Sequence, residues 1–479
     1  MDIASLTFVL FALAAALLFH AVSNPLYRKL ILTGANLIFI GSYLTEIRQV
    51  LPLAFFLLFG YGMIELVRRR RSGLALAGGL AATLALYIFL KRFSFIEDLA
   101  TLPFAYLIIG LSYILFRIVH LMIDARTEPW EKPIEMWSFL NYTCNFLTMV
   151  SGPIQRYDDF RRGEQALSGV LAPEVVYRSF SRIIVGFVKV LVISATANYL
   201  FQDISSHIVG ELNTMSWLTF SVYYAAAAAA YTGYLYYNFS GSMDIVIAIG
   251  LLFNQQLPEN FNRPFAARSF LEFWNRWHMT LSEWFKIYVF TPLMRVLATQ
   301  FQSPSLLPYL GVFAFFVTFL VMGVWHGSTL VFVIYGLLMG AGAGINKMWQ
   351  VKMGQALGKK RYQALGKQPL YIYVCRGLTF AYFTIAVTCL WVDMAQLEGL
   401  LGRLGAIGLL AVAFGLTMAT ALGAALWDFG ASLCGKLTEQ AMRFENVVTR
   451  NLWLASLIVL IAAVSSFYHK APDFVYRAF

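Results

Sequence analysis

Long apolar runs alternate with short polar intervals along the chain. The runs have the length that a helix needs to cross a hydrocarbon core, about 20 residues. Because lipid offers no hydrogen-bond partners to the backbone, each run is predicted to be helical. Roughly a dozen runs fit this pattern, at residues 6–22, 30–44, 51–67, 73–90, 102–118, 183–200, 217–237, 306–322, 328–345, 371–391, 404–425 and 452–467.

Composition supports the same class of protein. Hydrophobic residues make up 59% of the 479 residues and charged residues only 13%, so nearly the whole chain must avoid water. The sequence predicts an all-α, polytopic integral membrane protein. The first run, 6–22, is expected to be a span and not a secretory signal, because it lacks a basic segment before it and further spans follow at once.

The chain has a net charge of +11, and many of its basic residues cluster in the predicted loops. Basic clusters at 68–71, 161–162 and 347–367 fit cytoplasmic loops under the positive-inside rule. A second interpretation is that one of these loops holds the phosphates of an anionic donor. No spacing indicates a nucleic-acid module, and the four cysteines show neither a disulfide framework nor a zinc pattern.

Between residues 237 and 292 the apolar runs shorten and polar residues accumulate. Such backbone is tolerated at membrane depth where protein or a water-filled cavity surrounds it. Helical spacing puts charged side chains on one side of 268–288 and aromatic side chains on another, which predicts one amphipathic helix along an interface. The charged set is Arg268, Glu272, Arg276, Glu283 and Lys286, and the apolar set is Phe273, Trp277, Leu281, Trp284 and Tyr288.

Two of the six histidines lie in this apolar, aromatic context, each directly after a tryptophan. His278 belongs to the amphipathic segment, and His326 follows the run 306–322 between Gly323 and Gly327. Burial lowers the pKa of an imidazole, and a neutral imidazole can accept a proton from a hydroxyl or thiol. From its surroundings alone, His326 is a packing residue, a proton-relay element or a general base.

The two histidine motifs resemble a known signature. FWNRWHMTLSEWF (273–285) followed by MGVWHG (322–327) resembles the membrane-bound O-acyltransferase (MBOAT) family in its bacterial polysaccharide-modifying branch. Other stretches are similar to that branch in the same order: GLSYILFRIVHLMID (110–124), VSGPIQRYDDF (150–160), LPENFNRPF (257–265) and the final FVYRAF (474–479).

The resemblance implies a single transmembrane domain of helices around a central tunnel, with interfacial or re-entrant helices. N-terminal helices would occupy 1–109, the catalytic core 110–345 and C-terminal helices 346–479. The family takes an acyl group from a cytoplasmic thioester and delivers it towards an extracytoplasmic acceptor. It therefore implies an acetyl-coenzyme A or carrier-phosphopantetheine donor as substrate, with no tightly bound cofactor and no metal.

The resemblance also assigns the site. By that match His326 is the catalytic histidine, and His278 lies near the acceptor side of the tunnel. Tryptophans are expected to form a wall that excludes water, and two polar neighbours offer donors for developing oxyanion charge. The wall residues are Trp274, Trp277 and Trp325, and the donors are Asn275 and Arg276. Arg276 is equally expected to pair with Glu272 or Glu283.

The acyl group and acceptor stay open between two branches. The motif WNRWHMTLS is similar to that of members that move D-alanine to teichoic acid. The motif PENFN and the C-terminal ending instead resemble those of alginate-type acetyltransferases. We favour acetyl transfer to an exopolysaccharide or another envelope glycan, with D-alanyl transfer as the alternative. The resemblance also implies a bacterial cytoplasmic (inner) membrane location and an accessory envelope acyltransferase or small membrane partner.

A transporter or flippase, with the histidines as a proton relay, is the rival from another class. It predicts similarly interrupted spans in two halves of the chain, but each histidine motif occurs once.

Overall fold

The computed structural model describes residues 1–93, 102, 104, 106, 109–127, 133–165, 171–210, 214–441 and 447–467. These residues form helices, with no strand in the part of the chain described. The α-helices are α1 (Leu6–Ala21), α2 (Pro25–Gly41), α3 (Leu51–Arg70), α4 (Gly73–Lys91), α5 (Leu111–Thr127), α6 (Met136–Thr143), α7 (Tyr157–Gln165), α8 (Pro173–Phe187), α9 (Ala195–Gly210), α10 (Trp217–Leu252), α11 (Phe270–Trp274), α12 (Met279–Phe285), α13 (Thr291–Gln300), α14 (Leu307–His326), α15 (Leu330–Leu365), α16 (Pro369–Ala386), α17 (Met394–Ala441) and α18 (Val447–Phe467).

The predicted all-α membrane fold is confirmed. Every apolar run overlaps a helix, and eight helices in the described residues are long and apolar enough to span a membrane. Two shorter apolar helices lie at Leu6–Ala21 and Arg450–Ser466. The central tunnel stays a prediction, and the C-terminal motif 474–479 lies outside the described residues.

Helix starts follow local capping rules. The Ser5 hydroxyl accepts the N–H of Phe8 at the start of α1, and the Ser72 hydroxyl accepts that of Ala75 at the start of α4. Asn24 caps α2, and Pro25 occupies its first turn, where a missing N–H costs nothing. Polar residues between the apolar runs therefore fix where these three helices begin.

The described chain forms two compact units. One contains Met1–Val190 and Phe239–Glu259, and the other contains Leu191–Asn238 and the described residues from Asn260 onward. Both histidine motifs lie in the second unit. The boundaries predicted at 109/110 and 345/346 describe functional regions and stay a prediction.

Buried charge in the first unit is neutralised or hydrogen-bonded. The guanidinium of Arg117, 1% exposed, donates to the carbonyls of Tyr142, Thr143 and Thr148 at 2.6, 2.8 and 2.8 Å. These bonds offset the cost of desolvating the charge. Helix α5 continues to Thr127, beyond the end predicted at residue 118.

A second polar cluster in the same unit joins α8 to α10. Arg182 donates to Asp244 at 2.9 Å and to both carboxylate oxygens of Glu259 at 2.7 and 2.6 Å. Lys189, in a π-helical turn at Val188–Ser194, donates to Asp244 at 2.5 Å. The charged side chains on these helices are thus paired with one another, as apolar surroundings require.

Candidate active site

The segment that carries His278 is not the single amphipathic helix expected from its spacing. It forms the short helices α11 and α12, separated at residues 275–278, and then a π-helical turn at Lys286–Phe290. At the break between α11 and α12, two backbone groups form hydrogen bonds with residues outside the segment. Met279 N–H donates to the Asn260 carbonyl, and the Arg276 carbonyl accepts the Asn262 N–H, both at 2.9 Å. Because these bonds replace the i to i−4 pairs of a helix, the prediction of one continuous helix was wrong.

His278 itself has an unusual backbone. Its φ of 44° and ψ of 52° lie in the left-handed region, which costs an L-residue other than glycine about 1–2 kcal/mol. Such strain persists only where the surroundings impose it, and it concentrates at functional sites. The side chain is 1% exposed, so the chain maintains both an unfavourable backbone and a buried imidazole at this position.

His326 is placed by close packing of α14 against α15. A Cβ on Gly323 would lie 2.5 Å from both the Gly336 Cα and the Phe332 carbonyl oxygen. A Cβ on Gly327 would lie 2.2 Å from the Phe332 ring. Gly323 therefore lets the backbones of α14 and α15 come into contact, and Gly327 leaves room for the Phe332 ring. His326 ends α14 at this crossing and is 4% exposed.

Aromatic rings enclose His326. The Trp325 ring centroid lies 4.8 Å from that of the imidazole, and the Tyr335 centroid lies 5.5 Å away in an edge-to-face arrangement at 86°. Tyr335 is supplied by α15, so the enclosure depends on the α14–α15 crossing. This environment excludes bulk water from the imidazole.

Both histidines are buried, and burial affects the titration of His278. Burial holds the pKa of His278 well below its ordinary value of 6.5, and the charge of His326 lowers that pKa further. Burial therefore favours the uncharged form of His278. The ring of Trp274, four residues before His278 (278 − 274), packs against Phe319 of α14, the helix that ends at His326.

The comparison with known proteins decides the family of this site. The model of the MBOAT, membrane-bound O-acyltransferase family, matches residues 37–377, which is most of the chain and includes both histidine motifs. The chain belongs to the membrane-bound O-acyltransferase family. With its eight candidate spans, it is a multi-pass membrane protein.

Two kinds of relative within the family are similar to this chain. It is 31% identical over 237 residues to the teichoic acid D-alanyltransferase of Bacillus subtilis, covering 48% of this chain and 56% of that protein. It is 30% identical over 269 residues to that of Streptococcus thermophilus, covering 55% and 61%. It is 28% identical over 239 residues to a probable alginate O-acetylase of Pseudomonas aeruginosa, covering 50% and 42%. The chain thus spans about half the length of these relatives.

The predicted tryptophans of this MBOAT site occupy different environments. Trp325 lies beside His326, as described above. Trp277, 2% exposed, is enclosed by the rings of Tyr236, Phe261, Phe265, Phe273 and Phe383. Its contacts are those of a packing residue that supports the turn at His278. A substrate role for these tryptophans stays a prediction.

Trp274 packs through its ring, but its indole N–H takes no part in that packing. Its ring contacts Phe319 of α14 with centroids 4.9 Å apart. Its indole N–H is buried and has no hydrogen-bond acceptor among the described residues. An unsatisfied buried donor is costly, so this N–H is available to a polar group of a substrate.

The two predicted oxyanion donors lie further out. Asn275 is exposed at the end of α11, and Arg276 forms a salt bridge of 2.7 Å with Glu272, one of its two expected partners. The Arg276 side chain is 30% exposed. Their role in stabilising an oxyanion stays a prediction.

Sequence reasoning missed two residues of this region. Tyr335 is a polar aromatic residue inside an apolar run, and its approach to His326 depends on helix packing that no local pattern encodes. Asn260 belongs to the PENFN stretch, but its partners lie 19 and 20 residues further along the chain (279 − 260 and 280 − 260). No group of three or more potential metal ligands occurs within the described ranges.

Proposed function

We propose that this chain is an O-acyltransferase that moves an acyl group from a cytoplasmic thioester towards an extracytoplasmic glycan. The observation that carries the proposal is that His278 and His326 are both buried, on segments that pack together through the aromatic contact of Trp274 with Phe319. Family membership supplies the reaction class, and the site offers a base and a dry environment suited to it.

The residues suggest a simple division of labour. The imidazole of His326, in its uncharged form, would accept the proton of the attacking hydroxyl as the new C–O bond forms. The C–S bond of the thioester breaks, and the departing thiolate takes up that proton. Trp325 and Tyr335 keep competing water away from the base. His278 would orient the acceptor or share the proton with His326.

Acetyl is the acyl group that the electrostatics favour. A D-alanyl group carries an ammonium, which needs a counter-charge when it leaves water. The side chains seen around His326 are the aromatic rings of Trp325 and Tyr335, which supply no counter-charge. A neutral acetyl group has no such requirement, so we favour acetyl transfer to an exopolysaccharide or another envelope glycan.

D-alanyl transfer to teichoic acid is the second candidate. It is favoured by the 31% and 30% identities to two teichoic acid D-alanyltransferases, against 28% to the probable alginate O-acetylase. In both cases we place the protein in a bacterial cytoplasmic membrane, where an accessory envelope protein or small membrane partner completes the transfer. The donor is acetyl-coenzyme A or a carrier-bound phosphopantetheine thioester.

A comparison of two acyl donors distinguishes acetyl transfer from D-alanyl transfer. Purified protein is incubated in parallel with radiolabelled acetyl-coenzyme A and with a D-alanyl thioester on a phosphopantetheine carrier, and thiol release is measured. We expect turnover of the acetyl thioester. Turnover of the D-alanyl thioester alone would select the second candidate, and turnover of neither in membranes that contain the partner proteins would reject acyl transfer. Mass spectrometry of envelope glycans with and without the protein identifies the acceptor.

Donor binding can be tested at the exposed basic cluster that follows the kink of α15. The helix is interrupted at Gly358, whose φ of 74° suits glycine, and Lys359, Lys360, Arg361 and Lys367 are exposed beyond it. If this cluster holds donor phosphates, changing the four residues to glutamine should raise the donor KM several-fold and flatten its salt dependence.

The matched control changes exposed Arg69 and Arg70 at the end of α3 to glutamine, which should leave the donor KM unchanged. An unchanged KM in the Lys359–Lys367 variant as well would leave its basic residues with a topological role only.

A further inference from the structure

The left-handed backbone at His278 is held by one side chain from outside the helices that flank it. Asn260, 1% exposed, follows the proline-glutamate pair of the PENFN stretch. Its Oδ1 accepts the backbone N–H of Thr280 at 3.2 Å and the Thr280 hydroxyl at 2.6 Å. Its backbone carbonyl accepts the Met279 N–H at 2.9 Å. Both N–H groups directly after His278 are thereby occupied by Asn260.

These hydrogen bonds prevent residues 275–280 from forming a continuous helix. In a continuous helix the N–H groups of Met279 and Thr280 would bond to the carbonyls four residues earlier. The Asn262 N–H instead occupies the carbonyl of Arg276, so the turn is fixed on both sides of His278. A strained turn that is fixed in this way has one orientation of its side chain, which is what a preorganised site needs.

We propose that Asn260 is a positioning residue, which acts through Thr280 to hold the His278 imidazole in the orientation that the reaction needs. The inference rests on the proposed acyltransferase function. It assigns no contact between Asn260 and substrate. Asn260 fixes the position of His278, as supporting hydrogen bonds fix the side chains of other catalytic sites.

A double-mutant cycle distinguishes positioning from a general structural role. Asn260→Ala removes the Oδ1 acceptor and should lower acyl-thioester turnover by about tenfold to a hundredfold, because displacement of a catalytic group by about 1 Å has effects of this size. In a His278→Ala background, the same Asn260→Ala change should have almost no further effect, since its target is gone.

Conservative variants sharpen the cycle. Asn260→Asp keeps an oxygen that accepts both Thr280 bonds and should recover part of the lost turnover. Thr280→Ser keeps the hydroxyl and Thr280→Val removes it, so we expect the serine variant to be the more active. Equal losses from Asn260→Ala with and without His278, full turnover of Asn260→Ala, or full turnover of His278→Ala would each overturn the proposal.

A labelling experiment needs no activity and so separates this inference from the proposed function. Diethyl pyrocarbonate modifies accessible imidazoles, and mass spectrometry maps the modified sites. In the unchanged protein, buried His278 should be protected relative to exposed His207. In Asn260→Ala, modification of His278 should rise several-fold, while buried His120 stays protected.

The matched control is Asn36→Ala. Asn36 is also buried, and its Oδ1 accepts the Phe146 N–H at 2.8 Å, but it lies in the first unit. This variant should lower the melting temperature and leave His278 protected. Unchanged protection of His278 in Asn260→Ala would overturn the positioning role even if acyl transfer is confirmed. Increased modification of all buried histidines would assign Asn260 a role in folding and overturn it too.

Discussion

His326→Ala is expected to lower acyl-thioester turnover by about a hundredfold or more, which is the contribution of a positioned general base. The imidazole is enclosed by Trp325 and Tyr335, so water cannot easily replace it as a proton acceptor. The measurement is release of free thiol from a labelled acyl thioester by purified protein. Donor KM should change little, because the base acts in the chemical step.

The control for loss of a histidine is His207→Ala. His207 is exposed near the end of α9, and its replacement should leave turnover unchanged. Melting temperatures and size-exclusion profiles of both variants must match that of the unchanged protein, which separates catalysis from folding. Retained turnover in a folded His326→Ala variant would remove His326 from the mechanism and favour a packing role for it.

Gly323→Ala should be the most damaging single-methyl substitution near the site. The added Cβ would lie 2.5 Å from the Gly336 Cα and the Phe332 carbonyl oxygen, which are backbone atoms and cannot rotate away. We expect an unfolding free-energy loss of about 1–3 kcal/mol from overpacking. Because Gly323 lies one helical turn before His326, α14 must shift, and turnover should fall by up to about a hundredfold.

The same helix offers a matched control. A Cβ on Gly311 would meet nothing within 4 Å, so Gly311→Ala should be neutral or stabilise α14 by up to about 1 kcal/mol through helix propensity. Thermal unfolding in detergent and thioester turnover are measured for both variants. If Gly323→Ala behaves like Gly311→Ala in both measurements, close packing of α14 on α15 does not place His326.

Apolar run length predicted the helices well because one physical constraint dominates them. A backbone surrounded by lipid must satisfy its own hydrogen bonds, whatever the neighbouring helices do. The run at 306–322, for example, became α14 with ends within four residues of those expected (326 − 322). The family signature likewise pointed to His278 and His326 before any geometry was available.

The same reasoning failed where long-range hydrogen bonds compete with helical ones. The spacing of Phe273, Trp277, Leu281 and Trp284 is helical, but Asn260 and Asn262 capture backbone groups on both sides of His278. A helical period reports which face is apolar and carries no information about a partner 20 residues away. The pairing of Arg276 with Glu272, by contrast, is one of the two that the sequence predicted.

The sequence by itself determined that this is an all-α, multi-pass membrane protein with two family histidines, because hydrophobicity and motif order are properties of the chain. Tertiary structure decided that the segment before His278 packs on α14, that His278 adopts a left-handed backbone and that the Tyr335 ring lies against His326. These features depend on side-chain hydrogen bonds and on helix approach at glycines. Both are set by distances through space that the order of residues does not specify.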